Sequence, residues 1–180
     1  MSRCKWCSDS LKYIEYHDNE WCKKTDLSDR YLLEMLILES FQAGLSWECI
    51  LNKRKNFIEA YDNFDIEKII LYDDEKVNLL MSNKGIVRNK LKINASINNS
   101  KIFKCIVLEY GSFYKYLCSF FDGEVIYDNK SLTNYLSDMI SKDLIKRGMK
   151  FVGSTIIYSY LQAIGIIYSH EDECFMCYTK

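Results

Sequence analysis

Residues that could bind a metal ion lie in two short segments, one near each end of the chain. They are Cys4, Cys7, His17, His170, Cys174 and Cys177, which include both histidines of the sequence. A zinc ion with ligands from both segments would join the two ends and stabilise the fold. The spacing permits two ligand sets: the two C-x-x-C pairs, or Cys4, His17, His170 and Cys174. The alternative is reduced, buried thiols without a metal.

A second candidate is Glu39, whose carboxylate is expected on an apolar helix face. The segment Asp29–Ala43 is apolar almost all round and predicts a helix that runs through a core. Glu39 shares one face of that helix with three large apolar residues, Leu32, Met35 and Leu36. A buried carboxylate needs an internal cation, solvent at the helix end or a ligand. Glu34 is on the same helix but points elsewhere, so the two acids cannot share a pocket.

Basic residues are concentrated in two parts of a chain whose net charge is only −1. The stretch 76–108 contains seven lysines and arginines and no acid, and a second cluster surrounds Gly148 at Lys142, Lys146, Arg147 and Lys150. Two such patches could follow one phosphate backbone, which favours DNA as a partner. The alternative is that these lysines only solvate helix faces.

The composition predicts that helices position these groups. The 180 residues are enough for one domain, and the absence of proline with only 7 glycines argues against an all-β fold. We therefore predict an all-α protein with no strands. Besides 29–43, helices are expected at 56–61, 65–71, 75–82, 88–110, 113–120, 131–147 and 154–167.

Two further features of the sequence concern its cellular compartment. The N-terminal residues do not resemble a secretion signal, and eight cysteines without such a signal are more typical of thiols or metal ligands than of disulfides. The uncharged stretch 151–169 contains many polar residues and predicts a buried helix rather than a membrane span. We expect a cytoplasmic protein without a membrane partner.

Long mixed motifs in the chain resemble the 3-methyladenine DNA glycosylase I family. They are C-x-W at 4–6, Y-I-x-Y-H-D-N-E-W at 13–21, E-x-x-Q-A-G-L-S-W at 39–47, G-I-V-R at 85–88 and K-R-G-x-K-F-V-G-x-T-x-x-Y-x-x-x-Q-A-x-G at 146–165. The resemblance implies the helix-hairpin-helix DNA glycosylase fold, with two helical lobes in one unit over 1–180. The hairpin element would span about 131–167, with its turn at 148–153.

The resemblance also implies roles for individual residues. It assigns one structural zinc to Cys4, His17, His170 and Cys174, and it leaves Cys7 and Cys177 as bystanders. It places Glu39 in base recognition within an aromatic pocket formed by Trp6, Tyr13, Tyr16, Trp21 and Trp47. Gly44 and Leu45 resemble a wedge that fills the gap in the duplex. The DNA backbone would be bound by Lys146, Arg147, Lys150, Val152 and Gly153, because free amides at a helix start and nearby cations suit phosphate.

The activity implied by the resemblance is hydrolysis of the N-glycosidic bond of 3-methyladenine in alkylated double-stranded DNA. The free base would be released and an abasic site left, without lyase activity, by a monomer. The family lacks the catalytic aspartate of its superfamily. Glu171, Asp172 and Glu173 lie between the proposed zinc ligands His170 and Cys174, so we interpret them as solvated loop acids. The competing hypothesis is a zinc-stabilised helical module that binds DNA without chemistry.

Overall fold

Helices make up 58% of the structure, a computed structural model that describes residues 2–7 and 9–178. The expectation of a mostly helical fold is confirmed. The helices are α1 Leu11–Asn19, α2 Asp29–Gln42, α3 Trp47–Ala60, α4 Ile66–Ile69, α5 Asp74–Ser82, α6 Lys90–Tyr110, α7 Phe113–Cys118, α8 Tyr135–Lys146 and α9 Ser154–Ala163. A short 3-10 turn covers Asp62–Phe64, and two strands, β1 Ile126–Tyr127 and β2 Ile167–Tyr168, form a parallel pair.

Helix α2 forms the centre of the core, as its apolar sequence predicts. The Ser28 hydroxyl accepts a hydrogen bond from the Tyr31 amide and so begins the helix. Every residue from Tyr31 to Phe41 is buried, and the helix packs against α3, α6, α7 and α9. Both buried acids therefore lie inside the protein, where their partners decide what they can do.

Two helices near the N-terminus differ from the prediction. Helix α1 was not expected, because its sequence is polar except for one face; that face buries Tyr13, Tyr16 and His17. Helix α3 begins at Trp47 rather than at residue 56, because Ser46 caps it and accepts from the Cys49 amide. The charged run at 53–55 conceals the apolar periodicity of α3 in the sequence.

The prediction of a strand-free chain was wrong at one place. Helix α9 ends at Ala163, four residues before the predicted end, and β2 then pairs with β1 at Ile126 and Tyr127. Gly165 permits this turn: its φ is +75°, and a Cβ there would lie 2.3 Å from the backbone of Lys23. The pairing brings residues 128–129 beside the segment that contains His170.

Candidate functional site

A pocket of about 320 Å³ brings the predicted aromatic residues and Glu39 together. Its aromatic walls are Trp6, Tyr13, Tyr16, Trp21 and Trp47, and its polar lining is Glu39, Gln42, Asn129, Ser131, Ser159, Gln162, Ser169 and Glu171. A small cavity with aromatic walls and a few polar groups is typical of a small-molecule site. The arrangement suits a flat, polar-edged ring system.

The aromatic walls are held by contacts among the rings themselves. The Trp6 ring meets the edges of Trp21 and Tyr13 at centroid distances of 4.7 and 5.1 Å. The ring centroids of Tyr16 and Trp47, two further residues of the pocket wall, are 5.3 Å apart. Helix α1 contributes Tyr13 and Tyr16 at a spacing of three residues, which places both on its buried face. The pocket is thus preorganised by α1, α2 and the start of α3.

Glu39 is 3% exposed and has no cation beside it in the described part of the chain. Its Oε2 atom has no hydrogen-bond partner among the described residues, and the same holds for Nε1 of Trp47. Burial alone raises the pKa of Glu39 to about 8. The internal-cation explanation for this acid is therefore not supported. An acceptor and a donor in the lining are left for a ligand.

Four buried residues from the two ends of the chain form a tight cluster of metal-ligand atoms. The donor atoms of Cys4, His17, His170 and Cys174 all lie within 4.8 Å of one another. His170 Nδ1 is 3.6 Å from Cys4 Sγ and 3.5 Å from Cys174 Sγ, and His17 Nε2 is 3.5 Å from Cys174 Sγ. Tetrahedral zinc with usual bond lengths separates sulfur and nitrogen ligands by about 3.5 Å. The donor set therefore fits zinc.

The surroundings of the cluster also suit a metal. His17 Nδ1 pairs with the Asp18 carboxylate at 2.7 Å, which directs Nε2 into the cluster, and Arg3 holds the other side of Asp18. Burial lowers the pKa of His170 to about 4, so its imidazole is neutral and can donate a lone pair. Cys7 and Cys177 lie outside the cluster. Of the two ligand sets that the spacing permits, the geometry brings together the one with two histidines.

The residues expected to bind the DNA backbone lie on or beside the turn between α8 and α9. Lys146 and Lys150 are exposed, and Gly153 is the N-cap of α9. Val152 is buried, and its carbonyl accepts a hydrogen bond from Ser141. Arg147 differs from the lysines because its guanidinium is paired with Glu109 and Asp143, each at 2.7 Å. Its charge is thus already engaged within the protein.

The residues expected to form a wedge follow directly after α2. Gly44 has a φ of +81°, which suits a residue without a Cβ, and Leu45 is 41% exposed. The Leu45 amide donates to the Gln42 carbonyl at 2.6 Å, which closes a tight turn. Leu45 is thus exposed on a turn that directly follows α2, the helix that contributes Glu39 and Gln42 to the pocket.

Of the three acids interpreted as solvated loop acids, Asp172 and Glu173 are exposed, and Glu171 is partly exposed. Glu171 is half-buried, lines the pocket and accepts a hydrogen bond from the Lys5 amide at 3.0 Å. Other lining residues were also missed. Gln42 follows Glu39 by three residues and Gln162 follows Ser159 by three, so helical spacing could have found both pairs. Asn129 comes from a loop and had no such signal.

The chain is similar to a group of known enzymes along nearly its whole length. The sequence model of the methyladenine glycosylase family matches residues 6–178. DNA-3-methyladenine glycosylase 1 of Escherichia coli K12 is 38% identical over 185 residues, covering 99% of this chain and 97% of the relative. The DNA-3-methyladenine glycosylase of Haemophilus influenzae is 32% identical over 179 residues and is covered to 96%, as is this chain.

Solved structures agree with the sequence comparisons. A crystal structure of 3-methyladenine DNA glycosylase I superposes with a TM-score of 0.90 at 38% identity, covering 97% of this chain and 99% of the other. These proteins define an enzyme class, the hydrolases that cleave N-glycosyl bonds. Within that class, the chain belongs to the methyladenine glycosylase family. The family and the enzyme class inferred from the sequence are both confirmed.

A membrane-spanning helix is absent from the described residues, where no helix combines sufficient length with sufficient apolar character.

Proposed function

We propose that this protein hydrolyses the N-glycosidic bond of 3-methyladenine in alkylated double-stranded DNA and leaves an abasic site. The observation that carries the proposal is Glu39, a buried carboxylate in an aromatic pocket with no cation beside it among the described residues. The relatives of this chain are named for this activity. One solved structure concerns the recognition of 3-methyladenine by the enzyme of Staphylococcus aureus. It matches this chain with a TM-score of 0.91 at 30% identity, covering 97% of this chain and 96% of the other.

The positive charge of the damaged base explains why such a pocket would select it. An N3-methylated deoxyadenosine is cationic, so it can pair with the Glu39 carboxylate and gain cation–π attraction from the aromatic walls. The exocyclic amine of the base can donate a hydrogen bond to Glu39. A neutral adenine brings no positive charge to stabilise the ionised form of Glu39, so it would gain less from binding in this pocket.

The chemistry then requires little from the protein. Methylation has already activated the base as a leaving group, which departs neutral when the glycosidic bond breaks. The protein contributes a flipped-out base, a dry pocket and a positioned water molecule. A lyase step would need an amine nucleophile, and the described lining of the pocket contains no lysine. We therefore propose a monofunctional glycosylase.

The remaining parts of the chain would hold the duplex. Helices α8 and α9 with their turn would form the helix-hairpin-helix element, with Lys146, Lys150, Val152 and Gly153 toward phosphate. Gly44 and Leu45 would fill the gap that the flipped base leaves. Zinc at Cys4, His17, His170 and Cys174 would supply stability rather than a reactive group. We propose a cytoplasmic monomer that is a single bilobed unit.

Release of free 3-methyladenine tests the proposal directly. Duplex DNA methylated with a labelled reagent is incubated with the protein, and the released bases are separated by chromatography. We expect labelled 3-methyladenine and no cleavage of the strand at the abasic site, and Glu39→Gln should release far less. Tight binding of the same DNA without base release would instead favour the non-catalytic DNA-binding module.

A further inference from the structure

Lys92 is a buried lysine in the first turn of α6, and it binds the end of α2. Its side chain is 8% exposed, and Nζ donates to the carbonyls of Phe41 and Ala43 at 2.8 and 2.5 Å. Helix α2 has no basic residue in its own last turn. Lys92 therefore provides the positive charge that the C-terminal end of this helix favours, and it satisfies two otherwise free carbonyls.

The end of α2 is where the proposed pocket meets the proposed wedge. Glu39 and Gln42 of the last turn line the pocket, and Gly44 and Leu45 follow at once. Lys92 binds the Ala43 carbonyl, which belongs to the peptide bond between Ala43 and Gly44. It thereby fixes the direction in which the chain leaves the helix.

Helix α6 also holds the turn between α8 and α9. The Asn99 side chain accepts from the Lys150 amide at 2.9 Å and donates to the Lys150 carbonyl at 2.7 Å. Asn98 donates to the Gly148 carbonyl at 3.0 Å. The Lys92 ammonium lies 6.0 Å from the ring centre of Phe151, a residue of the same turn with an unusual φ of +56°.

We propose that Lys92 is a positioning residue that sets the Gly44–Leu45 turn relative to the α8–α9 turn. The inference rests on the proposed function. Binding of the DNA backbone at the α8–α9 turn would then place Leu45 at the base pair to be opened. Lys92 would not touch the DNA or the base, since its ammonium is buried against the carbonyls of α2.

A purely structural role for Lys92 makes a different prediction. If the lysine only stabilises the fold, its loss reduces the folded fraction and affects every substrate equally. If it positions the wedge, its loss affects only substrates in which a base must be pushed out of a duplex. A single-stranded substrate does not need the wedge, and free 3-methyladenine needs only the pocket.

The experiment compares Lys92→Met with the wild type on three ligands. One methylated oligonucleotide is used alone and annealed to its complement, under single-turnover conditions with enzyme in excess, and binding of free 3-methyladenine is followed by tryptophan fluorescence. We expect the rate at saturation on the duplex to fall about tenfold or more. Release from the single strand, binding of the free base and the dissociation constant for the duplex should each remain within about twofold of the wild type.

Two further variants make the result decisive. Lys115→Met removes an exposed lysine from α7, which meets the other end of α2 through the hydrogen bond from the Phe113 amide to Asp29, and it should behave as the wild type. Lys92→Arg keeps the charge and should recover most of the duplex rate. If Lys92→Met fails to fold, Lys92→Gln, which keeps a hydrogen-bond donor but loses the charge, is compared with the wild type on the duplex and the single strand in its place. A selective duplex defect in that variant would support the inference.

Equal losses on the duplex and the single strand would overturn the positioning role, and so would an unchanged duplex rate. These outcomes are distinct from failure of the proposed function. In that case the wild type itself would release no 3-methyladenine from either form of the oligonucleotide, and the inference would fall with it.

Discussion

Helix α2 contains two buried carboxylates, Glu34 and Glu39, and among the described residues only Glu34 is paired with cations. Glu34 is 2% exposed and Glu39 is 3% exposed. Both oxygens of Glu34 are paired, Oε1 with Arg54 at 2.7 Å and Oε2 with Arg30 at 3.0 Å. Arg54 also binds Glu20, so α1, α2 and α3 are joined by one ion network. Glu39 lies in a pocket with no cation near it in the described structure, and its pKa is raised to about 8.

The difference separates a structural acid from one that is kept for a ligand. A buried charge is unfavourable unless it is paired, so a buried acid without a partner stays largely protonated until another molecule supplies a positive charge. The four buried donor atoms of the Cys/His cluster are an intermediate case. They converge on one another rather than on a pocket, which suits an ion and leaves no room for a larger ligand.

The largest effect is expected at the metal cluster. Cys4→Ser or His170→Ala should abolish metal binding and lower the free energy of unfolding by several kcal/mol, because a metal bound there would join the two chain ends. Purified wild type should contain about one zinc, and chelation should destabilise it. Metal analysis and thermal melts check this. Equal losses in Cys7→Ser and Cys177→Ser would instead favour the four-cysteine site.

The next effect concerns the paired acid. Arg54→Met should destabilise the protein by about 3 to 5 kcal/mol, because it leaves Glu34 buried beside a single partner and also releases Glu20. Denaturant unfolding measures the loss. The double variant Arg54→Met with Glu34→Leu should recover much of it, since this ion network then contains no buried charge without a partner. If Arg54→Met unfolds like the wild type, Glu34 is not held by this network in solution.

The unpaired acid should show the reverse pattern. Glu39→Gln should reduce single-turnover release of 3-methyladenine about 100-fold, by analogy with the loss of one preorganised electrostatic contact, while zinc content stays the same. The folded pKa of Glu39 is above that of an unfolded glutamate, so wild-type stability falls as the pH rises from about 5 to 8. Glu39→Gln lacks this loss and should melt at a higher temperature than the wild type at pH 9.

Glu34→Gln is the matched control, because the same chemical change is made five residues earlier on the same helix. It should be less stable, yet its folded fraction should release the base at the wild-type rate. A Glu39→Gln protein that is unstable but active would contradict the assignment of Glu39 to ligand binding and would indicate a structural role for it.

How well the sequence predicted these two acids depends on how local each cause is. The bounds of α2 followed from the Ser28 cap and the apolar run, and the burial of Glu39 followed from helical spacing. The partner of Glu34 could not be predicted, because Arg54 lies on α3, a helix whose start was placed nine residues too late. The charged residues on the outer face of α3 obscure its apolar face in the sequence. That apolar face can be identified only from its packing against α1 and α2.

The polar half of the pocket was less predictable than its aromatic half. Asn129 and Glu171 reach the pocket only because β1 pairs with β2 and the Cys/His cluster holds the C-terminal segment against Cys4. A pair of strands with two residues each leaves no periodic pattern in the sequence, since its register depends on distant segments. The pocket residues that could not be predicted from the sequence therefore lie in loops held by tertiary contacts.

The pH dependence of the reaction also distinguishes Glu39 from Glu34. If the carboxylate form of Glu39 recognises the cationic base, kcat/KM should rise about tenfold per pH unit up to the pKa of about 8 and then level off. Steady-state rates from pH 6 to 9.5 measure the profile. Glu39→Gln should remove the inflection from its residual activity, whereas Glu34→Gln should keep it. An identical profile in the Glu39 variant would assign the titration to another group.

The smallest expected effect applies the same distinction between paired and unpaired charges to the cations of the α8–α9 turn. Lys150 is exposed and forms no ion pair with a described carboxylate, whereas Arg147 is paired with Glu109 and Asp143. An unpaired cation can release a counterion from DNA when it binds phosphate, but a cation already paired within the protein gains little.

Lys150→Ala should therefore weaken binding to undamaged and abasic duplexes alike, by a fewfold at moderate salt, and reduce the slope of log K against log salt by about 1. Arg147→Ala should leave that slope nearly unchanged and lower stability by about 1 kcal/mol, because its partners are largely solvated. Fluorescence anisotropy at several salt concentrations, together with melting temperatures, distinguishes the two. A salt slope that changes in Arg147→Ala but not in Lys150→Ala would mean that the ion pairs open on binding, and the rule drawn from Glu34 and Glu39 would then not extend to the surface.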